Sequence, residues 1–197
     1  MPARQKRLGL RPKAALGRGR STGMTSTNID YEAAFESYLQ ARQIPYVPAS
    51  KTHKGVFSGA RIKSFDLLVY PGTDRHWIVD VKGRQFPYRS SKGARRYWEN
   101  WVSQEDLDGL GEWQRVFGDD FEARFVFAYL LDGPPDRWPP GPAFEVGDQR
   151  FAFMTVALVD YRSHCRRRSS SWDTVSVPRD AFRQIVQPVN HFGPRPP

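Results

Sequence analysis

The sequence contains almost no cysteine, few histidines and no long apolar segment. Cys165 is the only cysteine among 197 residues, so an internal disulfide is excluded and a reducing, cytoplasmic location is favoured. The four histidines do not show the spacing of zinc ligands: they are His53, His76, His164 and His191. No apolar run approaches the roughly 20 residues that span a bilayer, so we expect no association with a membrane.

Acidic residues are missing from residues 1–23, which carry seven of the 30 lysines and arginines. Without those seven, the formal net charge of +9 falls to +2 for residues 24–197. The remaining chain is therefore nearly balanced, and its overall charge gives only a weak argument for binding DNA.

The N-terminal segment also has few large apolar residues, and we expect residues 1–24 to form a disordered basic extension. Three interpretations stay open: an arm that adds affinity for phosphates, a stretch before a translation start at Met24, or an organellar transit peptide. Hydrophobic residues make up 39% of the chain, which is enough for a real core. Residues 25–190 are predicted to form one domain, and residues 191–197 a disordered tail.

Apolar spacing predicts an α/β domain. Helices are expected over residues 25–42, 102–118 and 179–186. Thr27 and Asp30 resemble a capping box for the first helix, and Ser103 suits the start of the second. Strands are expected over residues 44–51, 65–70, 76–82, 123–131 and 150–161. Several strands are apolar at consecutive positions, which favours a mixed sheet covered by helices on both faces.

Charged residues interrupt the two strands at 65–70 and 76–82. If the turn between them is centred on Thr73, Asp66 lies opposite Asp80, and such pairs have Cβ atoms about 5 Å apart. Lys82 is two residues beyond Asp80 and therefore lies on the same face of the sheet. This arrangement predicts two carboxylates and one ammonium gathered at one end of an apolar hairpin.

Two neighbouring carboxylates repel each other unless a cation lies between them. Mg²⁺ or Mn²⁺ would relieve the repulsion, because such ions are held by one or two carboxylates together with phosphate oxygens. The alternative interpretation is a partly buried ion pair between an aspartate and Lys82 at the end of a strand.

Asp66, followed by Asp80, Val81 and Lys82, resembles the PD-(D/E)XK motif of the restriction-endonuclease-like superfamily, although Phe65 replaces the motif's proline. The resemblance implies an α-β-β-β-α-β core with a mixed sheet flanked by helices. It also implies a metal-dependent nuclease, either an endo- or an exodeoxyribonuclease.

The same resemblance implies roles for individual residues. Asp66, Asp80 and Glu32 would ligate Mg²⁺ or Mn²⁺, and Glu32 lies where many members carry a helical glutamate. Lys82 would orient the attacking water, which makes these four the predicted catalytic residues. Two further residues are candidates for supporting roles: Gln114 and Glu36.

The segment "DYEAAFE" at residues 30–36 is similar to the signature of the HYExAFE family of bacterial proteins. Asp30 replaces the leading histidine, and the other defined positions match. The name of that family describes a sequence pattern and implies no established activity.

A basic and aromatic segment follows Lys82 and contains no acidic residue before Glu99. Its cations are candidates for contacts with nucleic acid: Arg84, Arg89, Lys92, Arg95 and Arg96. The alternative is a solvated loop. The basic run at residues 165–168 is more typical of a solvated strand end, although it could extend a face that binds phosphates.

The sequence therefore predicts a metal-dependent nuclease acting on DNA. A binding or scaffold protein that keeps the fold without turnover is the alternative, and RNA remains an alternative substrate. The sequence leaves open whether the protein forms a homodimer.

Overall fold

The computed structural model describes residues 29–49, 55–57, 60–90, 93–95, 98–138, 141–169 and 171–189. Several predictions fall outside these ranges: the extension over residues 1–24, the tail over 191–197, the capping role of Thr27, and the contacts of Lys92 and Arg96. Within the ranges, the α-helices are α1 (Tyr31–Ala41), α2 (Gln104–Phe117), α3 (Leu158–His164) and α4 (Arg179–Ile185).

The strands of the described residues form one large sheet and three small ones. They are β1 (Tyr46–Pro48), β2 (Gly55–Phe57), β3 (Ala60–Ile62), β4 (Leu67–Val69), β5 (His76–Phe86), β6 (Tyr88–Ser90), β7 (Gly93–Arg95), β8 (Val102–Ser103), β9 (Phe121–Leu131), β10 (Phe144–Val146), β11 (Gln149–Ala157), β12 (Arg166–Ser169), β13 (Thr174–Ser176) and β14 (Gln187–Pro188).

The large sheet is mixed, as predicted. Its strand order is β1-β4-β5-β9-β11-β10, and β14 also pairs with β11. Strands β5 and β9 run parallel, whereas the other neighbours in this sheet are antiparallel. Along the chain, α1, β1, β4, β5, α2 and β9 give the α-β-β-β-α-β order, so the predicted fold class is confirmed.

Helices cover both faces of this sheet. Neighbouring residues of β5 point to opposite faces, so they pack in two different cores. Val79 packs in a core with Phe35 and Leu39 of α1. Ile78 packs in a second core with Leu107 and other residues of α2, α3 and α4. Among the described residues, no helix is long and apolar enough to cross a membrane.

The predicted register of the central hairpin is confirmed. Leu67 pairs with Val79 and Leu68 pairs with Ile78. Strand β5 extends beyond the predicted end at Lys82, because it pairs with β9 over its whole length from His76 to Phe86.

Two other expectations are corrected. The N-cap of α1 is Asp30, whose side chain accepts a hydrogen bond from the Ala33 amide at 3.0 Å. The strand predicted over residues 150–161 ends at Ala157, and α3 begins at Leu158. Leu158 and Tyr161 are both buried and lie three residues apart, so a helix carries both to the core.

Candidate active site

Asp66 and Asp80 meet at the end of the β4–β5 hairpin. Asp66 precedes β4, and its Oδ2 accepts a hydrogen bond from the Val81 amide at 2.7 Å. Its own amide donates to the Val79 carbonyl at 2.9 Å, which fixes the backbone beside β5. The two carboxyl groups are near enough for each to affect the pKa of the other.

Lys82 lies on the same face of β5 as Asp80 and contacts carboxylates on two different elements. Its Nζ is 2.9 Å from Oδ2 of Asp80 and 3.0 Å from Oδ1 of Asp106, on the first turn of α2. Asp80 is only 7% exposed. The ammonium therefore connects the central strand to the helix that covers it.

Asp66, Asp80 and Lys82 form a cluster of charged side chains that also includes Asp106 and Lys63. These last two were not predicted as site residues. Asp106 forms a capping box with Ser103: its amide donates to Ser103 Oγ at 3.0 Å, and its Oδ2 accepts from the Ser103 amide at 2.9 Å. Its other oxygen faces Lys82 and forms an ion pair with Lys63. The capping pattern predicted the start of α2 correctly, but it gave no sign that the second oxygen meets two lysines.

The pKa values of the two hairpin carboxyl groups are raised. Burial raises the pKa of Asp80 to about 8; Lys82 opposes this shift, and Asp66 and Asp106 add to it. Burial also raises the pKa of Asp66, with a further contribution from Glu32, whereas the hydrogen bond from Val81 opposes it. Both carboxyl groups are therefore more easily protonated than an exposed aspartate.

The charges of Lys82 and Asp106 are stabilised by their partners. Burial opposes the charge of Lys82, but Asp80 and Asp106 outweigh it, so the pKa of Lys82 is raised. Burial likewise opposes the charge of Asp106, but Lys82, Lys63 and Ser103 lower its pKa to about 2. Lys82 and Asp106 are thus both charged over the whole physiological range.

The charge balance and the donor chemistry of the cluster fit a divalent cation. Three carboxylates, Asp66, Asp80 and Asp106, face two ammoniums, Lys82 and Lys63, so one negative charge is unmatched when all of them are ionised. Carboxylate oxygens are the ligands that Mg²⁺ and Mn²⁺ prefer. Among the described residues, however, no three His, Cys, Asp or Glu side chains are gathered closely enough to hold a metal ion. The cluster therefore offers a pair of ligands.

Of the three predicted site residues that lie on helices, Glu32 is near the carboxylate pair, whereas Glu36 and Gln114 contact other parts of the fold. Glu32 lies on the first turn of α1, near enough to raise the pKa of Asp66. Glu36 accepts a hydrogen bond from the Tyr46 hydroxyl at 3.1 Å, which ties α1 to β1. Gln114 bonds to the backbone of Phe121 and Ala123, and it lies about 12 Å along α2 from Asp106. The described contacts of Glu36 and Gln114 thus do not involve the carboxylate pair.

Arg84 is largely buried, unlike a cation that faces solvent. It donates hydrogen bonds to the carbonyls of Gly83 and Trp101, and its guanidinium lies 4.2 Å from the centroid of the Trp101 ring. Burial lowers its pKa. Arg89 and Arg95 lie opposite Ala94 and Tyr88 respectively in the β6–β7 ladder, and their contact with nucleic acid stays a prediction.

No protein-family model matches the sequence, and no curated protein matches it significantly. Among solved structures, the chain is similar to Hjc from Archaeoglobus fulgidus, described as a Holliday junction resolvase from an archaeal hyperthermophile. The two chains share 12% sequence identity with a TM-score of 0.45, over 79% of this chain and 91% of that chain. We draw no functional conclusion from so distant a likeness, and membership in the HYExAFE family stays a prediction.

Proposed function

We propose that this protein hydrolyses phosphodiester bonds of DNA with the help of Mg²⁺ or Mn²⁺. The observation that supports this most strongly is the placement of Asp66 and Asp80 at one end of the hairpin, beside the ammonium of Lys82, which Asp106 anchors. A buried pair of this kind is costly in a metal-free protein, and a divalent cation would be a better partner than a proton.

Each charged side chain of the cluster then has a role. Asp66 and Asp80 hold the ion, and Glu32 either adds a ligand or positions water at the edge of the site. When bound, the ion supplies Lewis-acid charge at the phosphoryl oxygens. Lys82 orients the attacking water or stabilises the charge that develops on the phosphate. Asp106 holds the ammonium of Lys82 in place.

The closed ion network favours a second candidate, a nucleic-acid-binding or scaffold protein without turnover. Lys82 is bound on both sides, by Asp80 and by Asp106, and such a network can hold a hairpin against a helix without any chemistry. The two candidates differ in whether the protein cleaves DNA.

Calorimetry with Mn²⁺ on the wild type and on Asp80→Asn tests the proposal. We expect binding by the wild type and loss of binding in the variant. Binding should be unchanged in the control Asp108→Asn, whose side chain lies on α2 and is 63% exposed. Cleavage of linear, nicked, branched and single-stranded DNA is then assayed with Mg²⁺ or Mn²⁺. Equal Mn²⁺ binding by the wild type and Asp80→Asn would remove the metal site. A wild type that binds Mn²⁺ but cleaves no substrate would favour the second candidate.

A further inference from the structure

A cavity of about 250 Å³ lies between residues 98–101 and the β12–β13 hairpin. Its lining includes two indoles, Trp98 and Trp101, and two guanidiniums, Arg168 and Arg179. Glu99 is the carboxylate among its lining residues. Aromatic rings beside cations are the combination that binds unpaired nucleotides, because bases stack on rings and phosphates pair with arginine.

The wall of this cavity is held rigidly although residues 98–101 belong to no helix or strand. The Glu99 carbonyl accepts a hydrogen bond from the buried Tyr129 hydroxyl at 2.9 Å, and the Asn100 carbonyl accepts one from the buried Tyr161 hydroxyl at 2.6 Å. The Asn100 side chain makes two more hydrogen bonds, of 3.1 and 3.0 Å, to the backbone of Val177. A wall held from the core in this way is already formed before a ligand arrives.

Arg84 fixes this wall relative to the carboxylate cluster. It follows Lys82 by two residues on β5, a distance of about 7 Å along the strand. It donates a hydrogen bond to the Trp101 carbonyl and stacks on the Trp101 ring. Arg84 therefore holds the Trp101 wall of the cavity against β5, two residues beyond Lys82.

The charges around the cavity are complementary to a nucleotide. Arg168 is 43% exposed, lies 5.6 Å over the Trp101 ring, and is 3.6 Å from Glu99. Glu99 also accepts a hydrogen bond from Trp101 Nε1 at 3.2 Å, so its charge is partly satisfied by the wall itself. With Arg179 counted, two cations face one carboxylate and the lining is net positive.

The β12–β13 hairpin continues this surface outwards. Arg166 pairs with Ser176 in the hairpin, and Ser176 is part of the cavity lining. Trp172, at the turn of the hairpin, is 80% exposed. The residue after it, Asp173, accepts a hydrogen bond from the Gln104 amide at 2.9 Å, which joins the turn to the start of α2. The exposed side chains of Arg166, Arg168 and Trp172 therefore belong to a hairpin that is attached to the start of α2, beside the carboxylate cluster.

We propose that this cavity binds one unpaired nucleotide of a DNA strand, with its base against Trp101 and its phosphate on Arg168 and Arg179. The assignment of the neighbouring phosphate to Asp66, Asp80 and Lys82 rests on the proposed function, whereas binding in the cavity does not require hydrolysis. The substrate class is therefore DNA with an unpaired nucleotide beside the bond that is cleaved.

The test measures binding by fluorescence anisotropy in a chelator, so that no cleavage occurs. The probes are a labelled single strand of thymidines, an abasic strand of equal length, and a blunt duplex. We expect the wild type to bind the thymidine strand about ten-fold more tightly than the abasic strand, because stacking is lost without bases. It should also prefer the thymidine strand to the duplex.

Three variants locate the binding site. The double variant Arg168→Gln/Arg179→Gln should bind the thymidine strand about ten-fold more weakly. The matched control Arg183→Gln removes an exposed arginine of α4 that does not line the cavity, and should change little. Trp101→Leu should bring the affinities for thymidine and abasic strands close to equality, a ratio that a loss of charge alone does not change.

Equal affinity of the wild type for thymidine and abasic strands would overturn the proposal. So would a control variant that weakens binding as much as the arginine double variant, because the affinity would then reflect overall charge. If Trp101→Leu fails to fold, the wild-type strand comparison and the arginine variants still decide. Intact base preference without metal-dependent cleavage would refute the proposed hydrolysis and leave this binding site standing.

Discussion

Lys82 Nζ lies 3.0 Å from Oδ1 of Asp106, while Oδ2 of the same carboxylate caps α2 through the Ser103 amide. A single side chain therefore begins the helix and holds the ammonium on the central strand. The position of α2 and the position of Lys82 are coupled as a result, and a change at Asp106 should affect both.

Replacement of Asp106 by asparagine should separate these two roles. The amide oxygen of asparagine can still accept the hydrogen bond from Ser103, but the negative charge beside Lys82 and Lys63 is lost. We expect the free energy of unfolding to fall by about 3 to 5 kcal/mol, the usual cost of removing one partner of a buried ion pair. Urea denaturation measures this. The control Asp108→Asn, on an exposed side of the same helix, should change stability by less than about 0.5 kcal/mol. Similar effects of the two substitutions would mean that Asp106 does not stabilise Lys82.

The metal-free protein should lose stability through Asp80 as the pH rises. Burial raises the pKa of Asp80 to about 8, whereas an exposed aspartate has a pKa of about 3.9. Between these values the folded state keeps a proton that the unfolded state has released, so the free energy of unfolding falls with increasing pH. This contribution is complete below pH 4 and is lost as the pH passes through 8. Asp106 acts in the opposite sense, but its pKa of about 2 places its loss of stability below that window.

Asp80→Asn isolates this effect, because asparagine resembles the protonated carboxyl group and does not titrate. We expect the variant to gain stability relative to the wild type between pH 5 and pH 8, measured by urea denaturation in a chelator. A difference in stability that is constant over this range would contradict the raised pKa. Saturating Mn²⁺ should reduce the pH dependence of the wild type, since the ion takes the place of the proton.

Gly83 is needed for the close approach of α1 to β5. A Cβ atom at this position would lie 2.2 Å from the ring of Tyr31, which lies on the same first turn of α1 as Glu32. We expect Gly83→Ala to cost about 1 to 3 kcal/mol of stability by overpacking. The Mn²⁺ affinity should fall as well, if Glu32 acts on the ion.

Gly111→Ala is the matched control for this prediction. At Gly111 the nearest atom to an added Cβ is the end of the flexible Arg162 side chain, and alanine favours a helix interior. Gly111→Ala should therefore be neutral or stabilising, and thermal unfolding of both variants measures the difference. A destabilisation equal to that of Gly83→Ala would show that the effect does not come from the Tyr31 contact.

The parts of the site that could be predicted from sequence are those fixed by short-range geometry. The turn around Thr73 sets the register of β4 and β5, and the alternation of a strand then places Asp80 and Lys82 on one face. Asp106 and Lys63 could not be found in this way. Their contacts depend on how α2 packs across the sheet, and no periodicity in the sequence encodes that distance.

The same distinction explains the mistaken boundaries. Residues 158–161 are apolar enough to continue a strand, and only packing against α4 and β9 makes the helical spacing of Leu158 and Tyr161 the better solution. Arg84 was predicted to face nucleic acid because it is basic and near Lys82. Its burial against Trp101 follows from the tertiary packing of residues 98–101, which a loop sequence does not reveal.

Lys82→Met decides between an enzyme and a binding protein. Methionine keeps most of the apolar stem but removes the ammonium, so both hairpin carboxylates remain available. If Lys82 acts on the attacking water or on the phosphate, cleavage should fall by about 100- to 1000-fold, with Mn²⁺ binding and DNA affinity retained. Mn²⁺ binding should even strengthen, since the ion no longer competes with the ammonium for Asp80.

Lys63→Met is the control, because Lys63 binds the same Asp106 oxygen but is more exposed and makes no ion pair with Asp80. It should retain turnover. If Lys82 only stabilises the fold, Lys82→Met should lower the free energy of unfolding by about 3 to 5 kcal/mol, because Asp80 loses its buried partner, and the wild type should show no cleavage that the variant could lose. Melting temperature, Mn²⁺ affinity and cleavage measured on both variants therefore distinguish the two roles. A destabilised Lys82→Met beside a wild type that cleaves nothing would leave a binding protein, in which the ion network holds β5 against α2.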